Sequence, residues 1–263
     1  MDDAASEAPD TQDPFSRLQY RRLVAWPERI RREEPFLESV FGAGPERSIL
    51  DLGCATGEHA LHFARRGYRV LGLDRSQAQI DEAQRQAGDA AAQFVCADLT
   101  HLQEAVGEKF GSAVCLGNTL VNLLETSHLE SACRGVYAAL LPGGSWVTQI
   151  LNYRRILATG QRSLPLNFRP DGDAELVFLR LMRPLENGRI QFIPTTLRLA
   201  PEAEPPVQVV ASHAVTLRAW SQDELERALG RAGFEAIRWF GDMTRGAYDP
   251  ETSTDLVFVA TRR

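Results

Sequence analysis

Hydrophobic and polar positions follow two alternating patterns over the first 150 residues of the chain. Short apolar runs predict β-strands, and they occupy residues 49–52, 68–73, 93–97, 112–116 and 145–151. Between these runs apolar residues recur every three or four positions, which predicts a helix behind the first strand and further helices over 77–87 and 129–140. Strands that alternate with helices indicate a parallel sheet with right-handed crossovers, so we expect an α/β fold.

The pattern changes after residue 151. Apolar and polar residues then alternate one by one, which predicts three antiparallel strands over 174–182, 189–199 and 207–219. A further helix is expected from Ser221, because Glu224 three residues later completes a capping-box sequence. Two last strands, over 234–240 and 256–261, are predicted to pair as a hairpin. We therefore assign residues 152–219 to an antiparallel insertion after the fifth strand.

The N-terminal region differs in composition from the remainder. Residues 1–14 are polar, acidic and interrupted by proline, which predicts a disordered tail. Helical spacing begins at Phe15, and Pro27 stands where a second helix would start, so residues 15–45 are predicted as a helical cap. The sequence has no repeat and no pattern of a second core. Residues 15–263 are therefore expected to form a single domain.

The turn after the first strand carries the strongest functional signal. It reads Asp51-Leu-Gly-Cys-Ala-Thr-Gly57, and the helix that follows it would present its unpaired N–H groups to a ligand. Asp74 ends the second strand, 21 residues after Gly53. In doubly wound folds a carboxylate at this spacing binds the ribose hydroxyls of a nucleoside. The sequence therefore predicts a nucleoside cofactor.

Two nucleoside cofactors use such a unit, and two residues separate them. A dinucleotide site requires G-x-G-x-x-G, whereas this chain has Ala55 at the second position and Glu58, whose carboxylate would repel a pyrophosphate, at the last. Asp51 beside the turn suits a cationic ligand instead. The pattern D-x-G-x-A-x-G with the distal Asp74 resembles motif I of class I S-adenosylmethionine (SAM) methyltransferases, which usually have glycine where Ala55 stands. The resemblance implies a Rossmann-like, seven-stranded α/β sheet with an antiparallel seventh strand, and SAM as the cofactor.

Composition and charge narrow the partners. The 263 residues carry a net charge of −6 with a pI near 5.5, which argues against nucleic acid because phosphate binding needs a concentrated basic surface. The chain has neither a signal peptide nor an apolar run near the ~18–20 residues of a membrane span, so we expect a cytoplasmic protein without a membrane partner. The four cysteines form no C-x-x-C pair; we expect reduced, mostly buried thiols and no metal site. The sequence leaves homo-oligomer formation open.

Three further segments resemble glycine and sarcosine N-methyltransferases. Residues 115–120, Cys-Leu-Gly-Asn-Thr-Leu, resemble the C-L-G-N stretch of those enzymes. Residues 152–157, Asn-Tyr-Arg-Arg-Ile-Leu, resemble their N-Y-x-x-I-L segment after the fifth strand, and residues 23–29 resemble the helix that they fold over the cofactor. The likeness extends from about residue 20 to the C-terminus. It implies methyl transfer to a small-molecule acceptor, with an amine nitrogen as the expected site.

The resemblance also implies a role for each matching residue. Arg29 would bind the carboxylate of SAM and Asp74 its ribose, while Asp98 would meet the adenine or, equally well, cap the following helix. The predicted cofactor residues are Arg29, Asp51, Gly53, Ala55, Gly57, Asp74, Arg75, Asp98, Leu99, Leu116 and Gly117. The predicted acceptor residues are Tyr20, Trp26, Asn118, Tyr153 and Tyr248, with Asn118 and Tyr153 as the catalytic pair. His59 suits a ligand role and helix capping equally.

One departure from the family pattern bears on the acceptor. Glycine-type enzymes hold the substrate carboxylate with an arginine directly before the N-Y pair, and this chain has Leu151 there. An unpaired buried carboxylate is costly, so a less charged or larger amine fits at least as well as glycine unless Arg154 or Arg155 substitutes. A small-molecule O-methyltransferase and a non-catalytic SAM-binding module stay open as alternatives. A nucleic-acid methyltransferase is disfavoured because the chain is acidic and lacks an N/D-P-P-Y type motif.

Overall fold

The computed structural model describes residues 20–263, with side chains from residue 21 onward. The predicted tail over residues 1–14 and the start of the predicted helical cap lie outside the described residues. The helices are α1 Tyr20–Leu23, α2 Trp26–Phe41, α3 Glu58–Arg65, α4 Gln77–Ala87, α5 Leu102–Ala105, α6 Thr126–Ala139, α7 Tyr153–Ala158 and α8 Gln222–Ala232. The strands are β1 Ser48–Leu52, β2 Arg69–Asp74, β3 Ala92–Cys96, β4 Phe110–Cys115, β5 Leu140–Leu151, β6 Asn167–Asp171, β7 Ala174–Pro184, β8 Arg189–Leu199, β9 Val207–Ser212, β10 Val215–Arg218, β11 Ala236–Phe240 and β12 Asp255–Thr261.

Seven of these strands form the central sheet, in the order β11-β12-β5-β4-β1-β2-β3. The strand β1 pairs in parallel with β2 and β4, whereas β12 runs antiparallel to both of its neighbours. Every residue of β1 and β4 is buried, as expected for strands covered by helices on both faces. The predicted seven-stranded α/β sheet with an antiparallel last strand is confirmed. Its strand order reverses between β1 and β4, and ligands of open α/β sheets bind beyond the carboxyl ends of strands at such a point.

Two apolar clusters cover the two faces of the central sheet. Helices α2, α3 and α4 contribute Phe36, Phe63 and Ile80 to one cluster. Helices α6 and α8 contribute Val136 and Leu229 to the other. Burial of apolar surface on both faces stabilises the sheet by roughly 25 cal/mol for each Å² removed from water, and it leaves the strand ends as the accessible part.

Two helices begin where the sequence predicts. Pro27 lies in the first turn of α2, where a missing N–H removes no hydrogen bond from the helix. The side chain of Ser221 accepts the N–H of Glu224, and the carboxylate of Glu224 accepts the N–H of Ser221, so the predicted capping box starts α8.

The strand β5 begins at Leu140 rather than at residue 145 as predicted. Leu140 pairs with Phe110 of β4. The N–H of Gly143 donates to the carbonyl of Arg262 at 2.8 Å, and the carbonyl of Gly144 accepts the N–H of Arg262 at 2.8 Å. The glycine-rich segment therefore extends the sheet beside the C-terminus, because its backbone groups find partners there.

The insertion forms a second, five-stranded antiparallel sheet instead of the three predicted strands. Its path is β10-β8-β7-β6, and β9 also pairs with β8. The predicted third strand is two strands, because β9 pairs with one end of β8, around Thr195–Leu199, and β10 with the other, around Arg189–Phe192. The sequence does not reveal β6, whose five residues include Pro170 and two charged side chains. Proline is tolerated there because β6 lies at the edge of the sheet.

The cysteines largely match the prediction. Cys54, Cys115 and Cys133 are buried free thiols, whereas Cys96 is exposed. Cys96 ends β3, which lies at the edge of the central sheet and therefore has one uncovered side. Within residues 20–263, no helix combines the length and apolar character that crossing a membrane requires.

Candidate functional site

A cavity of about 1070 Å³ lies over the carboxyl ends of the parallel strands and reaches the insertion sheet. One part, the strand-end side, is lined by Arg29, Asp51, Gly53, Ala55, Asp74, Arg75, Asp98, Leu99, Leu116, Gly117 and Asn118. The opposite part, the insertion side, is lined by Leu164, Asn167, Arg169, Phe178, Arg180, Phe192 and Leu217. Pockets for one drug-sized ligand measure about 300–1,000 Å³. The volume is therefore sufficient for two small molecules side by side.

Close packing inside the protein explains the glycines of the turn after β1. Gly53 has a φ of +72°, and a Cβ atom there would lie 2.3 Å from Cγ2 of Thr119. Gly57 has a φ of +84°, and a Cβ atom there would lie 2.8 Å from the ring of Phe94. Gly57 is not among the residues that line the cavity. Among the residues of the turn, Gly53 and Ala55 thus face the cavity, while Gly57 lets the turn approach β3.

Asp74 ties the turn after β1 to the start of α4. Its Oδ2 accepts the N–H of Ala55 at 3.0 Å, and its Oδ1 accepts the N–H of Ser76 at 3.0 Å. Ala55 has a φ of +48°, a conformation that few residues other than glycine adopt. Each oxygen of a carboxylate can accept more than one hydrogen bond. Asp74 therefore orders the turn, and it also lines the cavity.

Asp51 is a buried carboxyl group on the same wall. Burial, together with the nearby negative charge of Asp74, raises the pKa of Asp51 to about 7, against the opposing effect of Arg29. Near neutral pH this group is therefore partly protonated in the absence of a ligand. A cationic ligand beside it would favour the carboxylate form, so the wall suits positive charge.

Asp98 acts as an N-cap. Its Oδ1 accepts the N–H of Thr100 at 2.7 Å and the hydroxyl of Thr100 at 2.6 Å, which starts the short 3-10 helix Leu99–His101. Of the two roles predicted for Asp98, the cap is present in the structure. Asp98 and Leu99 also line the cavity, so contact with an adenine stays a prediction.

Four side chains from α2 and α3 form what we call the Glu33 cluster, which consists of Trp26, Arg29, Glu33 and His59. Glu33 Oε1 accepts from Arg29 Nε at 3.0 Å, and Glu33 Oε2 lies 2.9 Å from His59 Nε2. The rings of Trp26 and His59 meet edge to face at 5.7 Å. Glu33 is only 4 % exposed, so its partners are held in a largely dry environment. The cluster fixes the guanidinium of Arg29, whose Nη2 lies 3.4 Å from the position of a Cβ on Gly117.

The charges within the Glu33 cluster follow from these contacts. Burial acts to raise the pKa of Glu33, but the hydrogen bond with His59 and the charge of Arg29 outweigh it and lower that pKa to about 2. Burial lowers the pKa of His59 despite the neighbouring carboxylate. Glu33 is thus an anion and His59 is neutral near pH 7. Glu33 stands in a run of charged residues, which is typical of a solvated helix face, yet it precedes the buried Phe36 and Leu37 by three and four positions and shares their face.

Asn118 links three elements at the centre of the cavity. Its Nδ2 donates to the hydroxyl of Tyr153 at 2.7 Å, and its Oδ1 accepts the N–H of Leu151 at 3.0 Å. Its backbone has a φ of +69° and follows Gly117 at +71°. The amide is therefore held in one orientation by α7 and β5 while the residue lines the cavity.

Two of the predicted acceptor residues do not line the cavity. Tyr153 is 2 % exposed, and its ring is part of the core behind Asn118. The hydroxyl of Tyr248 donates to Oδ1 of Asn152 at 3.3 Å, and Asn152 in turn caps α7. Both rings pack among apolar side chains of the core and neither lines the cavity, so direct contact with an acceptor is not supported for either. Trp26 lines the cavity, whereas the side chain of Tyr20 lies outside the described residues.

The arginines that face the insertion side are not those suggested by the sequence. Arg154 is exposed and Arg155 half-buried on α7, and neither lines the cavity. Arg169 of β6 and Arg180 of β7 line it instead. Recognising β6 would have revealed Arg169. Pairing of β6 with β7 places Arg169 beside Leu176, on the face of β7 that also carries Arg180.

Comparisons with known proteins agree with this arrangement. A family profile described as "Methyltransferase domain" matches residues 49–144. A glycine/sarcosine N-methyltransferase of Parasynechococcus marenigrum is 28 % identical over 141 residues, which cover 53 % of this chain and 50 % of that protein. The chain thus spans about half the length of the curated relative that it matches.

Solved structures resemble the whole chain in fold. DesVI of Streptomyces venezuelae has a TM-score of 0.74 at 19 % identity, covering 95 % of this chain and 99 % of that one. CalS10 of Micromonospora echinaspora, an amino pentose methyltransferase determined with SAM bound, has a TM-score of 0.69 at 20 % identity, covering 97 % and 100 %. Residues 49–144 thus match a methyltransferase domain, and the fold is that of class I SAM-dependent methyltransferases. The predicted class and fold, with SAM as the cofactor of that class, are confirmed.

The groups around the strand-end side fit this cofactor. SAM carries a sulfonium and an ammonium cation, a carboxylate, ribose hydroxyls and an adenine. The wall offers buried Asp51 for positive charge, the fixed guanidinium of Arg29 for a carboxylate, and Asp74 for hydroxyls. Leu99 and Leu116 supply apolar contact for a flat ring. In the part of the chain that the structure describes, no group of three or more His, Cys, Asp or Glu side chains is arranged to hold a metal ion.

Proposed function

We propose that this protein transfers the methyl group of SAM to a small-molecule acceptor, with an amine nitrogen as the methylated atom. One observation carries the proposal: the acidic strand-end side and the largely apolar insertion side belong to one cavity, and Asn118 lies on its wall. A cofactor and an acceptor could therefore meet without crossing solvent. The curated relative named a glycine/sarcosine N-methyltransferase supports nitrogen as the methylated atom.

On the strand-end side we assign each group by its charge. Arg29 pairs with the carboxylate of SAM, since a guanidinium offers two parallel donors to that group. Asp51 faces the cationic part, and Asp74 accepts from the ribose hydroxyls. Asp98 and Leu99 border the adenine, with Arg75 at the outer rim of the same wall. Gly53, Ala55, Leu116 and Gly117 shape the floor, while Gly57 supports it from behind.

Asn118 is the residue that we place next to the reacting atoms. SAM supplies a methyl group bonded to a sulfonium, which is already an activated leaving group. The chain therefore needs no nucleophile of its own, and its task is to hold the acceptor lone pair about 3 Å from the methyl carbon and to exclude water. Asn118 contributes an oriented amide at that point, and Tyr153 keeps the amide oriented through its hydroxyl. Trp26, which lines the cavity beside Arg29, offers an aromatic face to a cationic amine.

We extend the proposal to the organisation of the chain. Residues 15–263 act as one catalytic domain, in which residues 15–45 cap the cofactor and residues 152–219 form the acceptor wall. Contacts of α1 support this, because Arg21 pairs with Glu58 of α3 while Arg22 pairs with Asp171 of the insertion. A cytoplasmic location and homo-oligomer formation stay predictions of the sequence.

A transfer assay tests the proposal directly. Purified protein is incubated with SAM labelled in the methyl group and a panel of small amines, and products are identified by mass spectrometry. We expect labelled N-methyl products with wild type and a large loss of product with Asn118→Ala. The matched control is Asn187→Ala, which alters an exposed asparagine in the turn between β7 and β8 that does not line the cavity. Binding of SAM without transfer to any acceptor would favour the non-catalytic SAM-binding alternative.

A second candidate function, O-methylation of a carboxylate, has its own supporting observation. Arg169 and Arg180 line the acceptor wall, and Leu151 stands where glycine-type enzymes have their arginine. A carboxylate drawn into the cavity by these cations could itself accept the methyl group. Alkaline treatment of the product separates the two candidates, because a methyl ester is hydrolysed and an N-methyl group is retained.

A further inference from the structure

The insertion sheet presents a basic face to the cavity in an otherwise acidic protein. Side chains alternate along each strand, so Arg169, Asp171, Arg180 and Arg198 point to the same face of the sheet. Across the five insertion strands the only carboxylates are Asp171 and Glu175, and Glu175 points to the other face. The net charge of the whole chain is −6, so this concentration of positive charge is local, and two of its arginines, Arg169 and Arg180, line the cavity.

The single carboxylate of this face is already engaged. Asp171 accepts from Arg22 of α1 at 2.7 Å and lies 3.4 Å from Nε of Arg198. Arg169 donates to the carbonyl of its neighbour Phe168 at 2.6 Å and has no carboxylate partner among residues 20–263. Arg180 donates to the carbonyl of Pro165 at 2.7 Å, and its guanidinium lies 5.2 Å from the ring of Phe178. On this face of the insertion sheet three arginines, Arg169, Arg180 and Arg198, thus stand against one carboxylate, which is itself paired.

Apolar side chains surround these two arginines. Phe178 is 2 % exposed and Phe192 is 8 % exposed, and both line the cavity with Leu164 and Leu217. Such a wall favours a ligand with an apolar body, because removal of apolar surface from water is favourable. A guanidinium within it binds an anion more strongly than it would in bulk water. Size, apolar lining and charge therefore point to one kind of ligand.

We propose that the insertion side is an acceptor subsite for an amine that carries an apolar body and, at its far end, a carboxylate or phosphate-type anion held by Arg169 with Arg180. The inference rests on the proposed function for the identity of the site as an acceptor site. It differs from a glycine site in two respects. The anion is bound by the insertion instead of by the residue before Asn152, and an apolar spacer separates it from the amine.

Binding of matched probes tests the subsite independently of methyl transfer. The full chain is saturated with S-adenosylhomocysteine, which contains no transferable methyl group, and titrated calorimetrically with benzylamine, 4-(aminomethyl)benzoate and 4-(aminomethyl)benzylphosphonate. These probes share an amine and a ring and differ in the distal group. We expect at least one anionic probe to bind about tenfold or more tightly than benzylamine, and comparison of the two anions identifies the preferred type.

Variants of the insertion locate the effect. Arg169→Gln should remove the preference for the anionic probes, and Arg169→Glu should reverse it, whereas both should leave the binding of S-adenosylhomocysteine unchanged. The control is Arg183→Gln, an exposed arginine on the opposite face of β7, which should retain the preference. Circular dichroism melting shows whether each variant is folded.

Three results would overturn the inference: equal binding of all three probes, failure of both anionic probes to bind, or an anion preference that survives both Arg169 variants. The proposed function is judged by a different readout. Label transfer to neutral amines alone would support the proposed function and contradict the subsite inference. Anion-dependent binding with methylation on oxygen would support the subsite and contradict the proposed methylation of an amine.

Discussion

The two sides of the cavity are built in different ways. On the strand-end side, acidic groups are fixed by the backbone, since Asp74 accepts the N–H groups of Ala55 and Ser76 and Asp98 accepts that of Thr100. On the insertion side, the guanidinium of Arg169 donates to the carbonyl beside it and to no other group among residues 20–263. Preorganised groups suit a ligand that is always the same, whereas long side chains on strands suit a ligand that differs among related proteins. We therefore expect cofactor binding and acceptor choice to be separable.

The largest effect is expected from crowding the turn after β1. Gly53→Ala would place a methyl group 2.3 Å from Thr119 Cγ2 and keep a φ of +72°. We expect a loss of about 2–5 kcal/mol in the free energy of unfolding, from overpacking added to left-handed backbone strain. Urea denaturation measures it.

Gly143→Ala is the matched control for this substitution. Its φ is +80°, but nothing lies within 4 Å of the added methyl group. The expected loss is about 1–2 kcal/mol, from backbone strain alone. Equal losses for the two variants would show that Thr119 does not restrict the turn.

A smaller, selective effect is expected from neutralising the Glu33 cluster. Glu33→Gln removes the charge that holds Arg29 at 3.0 Å, so SAM should bind about tenfold to a hundredfold more weakly. 5′-Methylthioadenosine, which lacks the amino-acid part, should bind as it does to wild type. Calorimetric titration of both ligands gives the ratio.

Glu34→Gln is the control for the Glu33 substitution, because Glu34 lies on the same helix and pairs with Arg66 and His62 instead. It should weaken neither ligand. If Glu33→Gln weakened both ligands equally, the cluster would serve stability and not the orientation of Arg29.

The protonation of Asp51 should couple SAM binding to pH. Its pKa is raised from its ordinary value of 3.8 to about 7 in the folded protein. The native state therefore binds more protons than the unfolded state between about pH 4 and 7. The contribution of protonated Asp51 to the free energy of unfolding is full below about pH 4 and is lost as the pH rises through about 7.

A cation beside Asp51 favours the carboxylate, so SAM binding should strengthen from pH 6 to 8 and release up to about one proton near pH 6. Titrations in buffers of different ionisation enthalpy measure this release. Asp51→Asn should abolish it, and proton uptake on binding would contradict the assignment.

The smallest effect is expected at Tyr153. Tyr153→Phe removes the acceptor for Asn118 Nδ2 at 2.7 Å, so we expect a loss of about 0.5–1.5 kcal/mol in stability. The value of kcat should fall by less than about tenfold, because Asn118 keeps its bond to Leu151. Complete loss of turnover in a folded variant would indicate that the hydroxyl touches the reacting atoms. Tyr137→Phe, a tyrosine on α6 remote from the cavity, serves as the control.

The strand-end side was predictable because its signals are local. A buried strand, a turn with glycines at positive φ, and Asp74 at a fixed distance along the chain all lie between residues 48 and 74. The cap formed by Asp98 was one of the two roles that the pattern allowed. These features depend on neighbours in sequence, which a single chain reveals.

The insertion side could not be predicted, because its residues meet through strand pairing. Arg169 is placed on the same face as Arg180 only once β6 is paired with β7, and β6 is concealed by Pro170. The burial of Glu33 is not evident from the sequence because an acidic residue among arginines is usually solvated. Tyr153 was overvalued because its motif gives no information on which side of Asn118 its ring lies. In each case a contact distant in sequence decides the position.

The most direct test of the account is a calorimetric titration of wild type, Asp74→Ala and Arg169→Gln with SAM. We predict that wild type binds SAM, that Asp74→Ala loses binding because both the ribose acceptor and the anchor of Ala55 are removed, and that Arg169→Gln binds as wild type does. Absence of SAM binding to folded wild type, or equal weakening by the two variants, would contradict the assignment of the cofactor to the strand-end side.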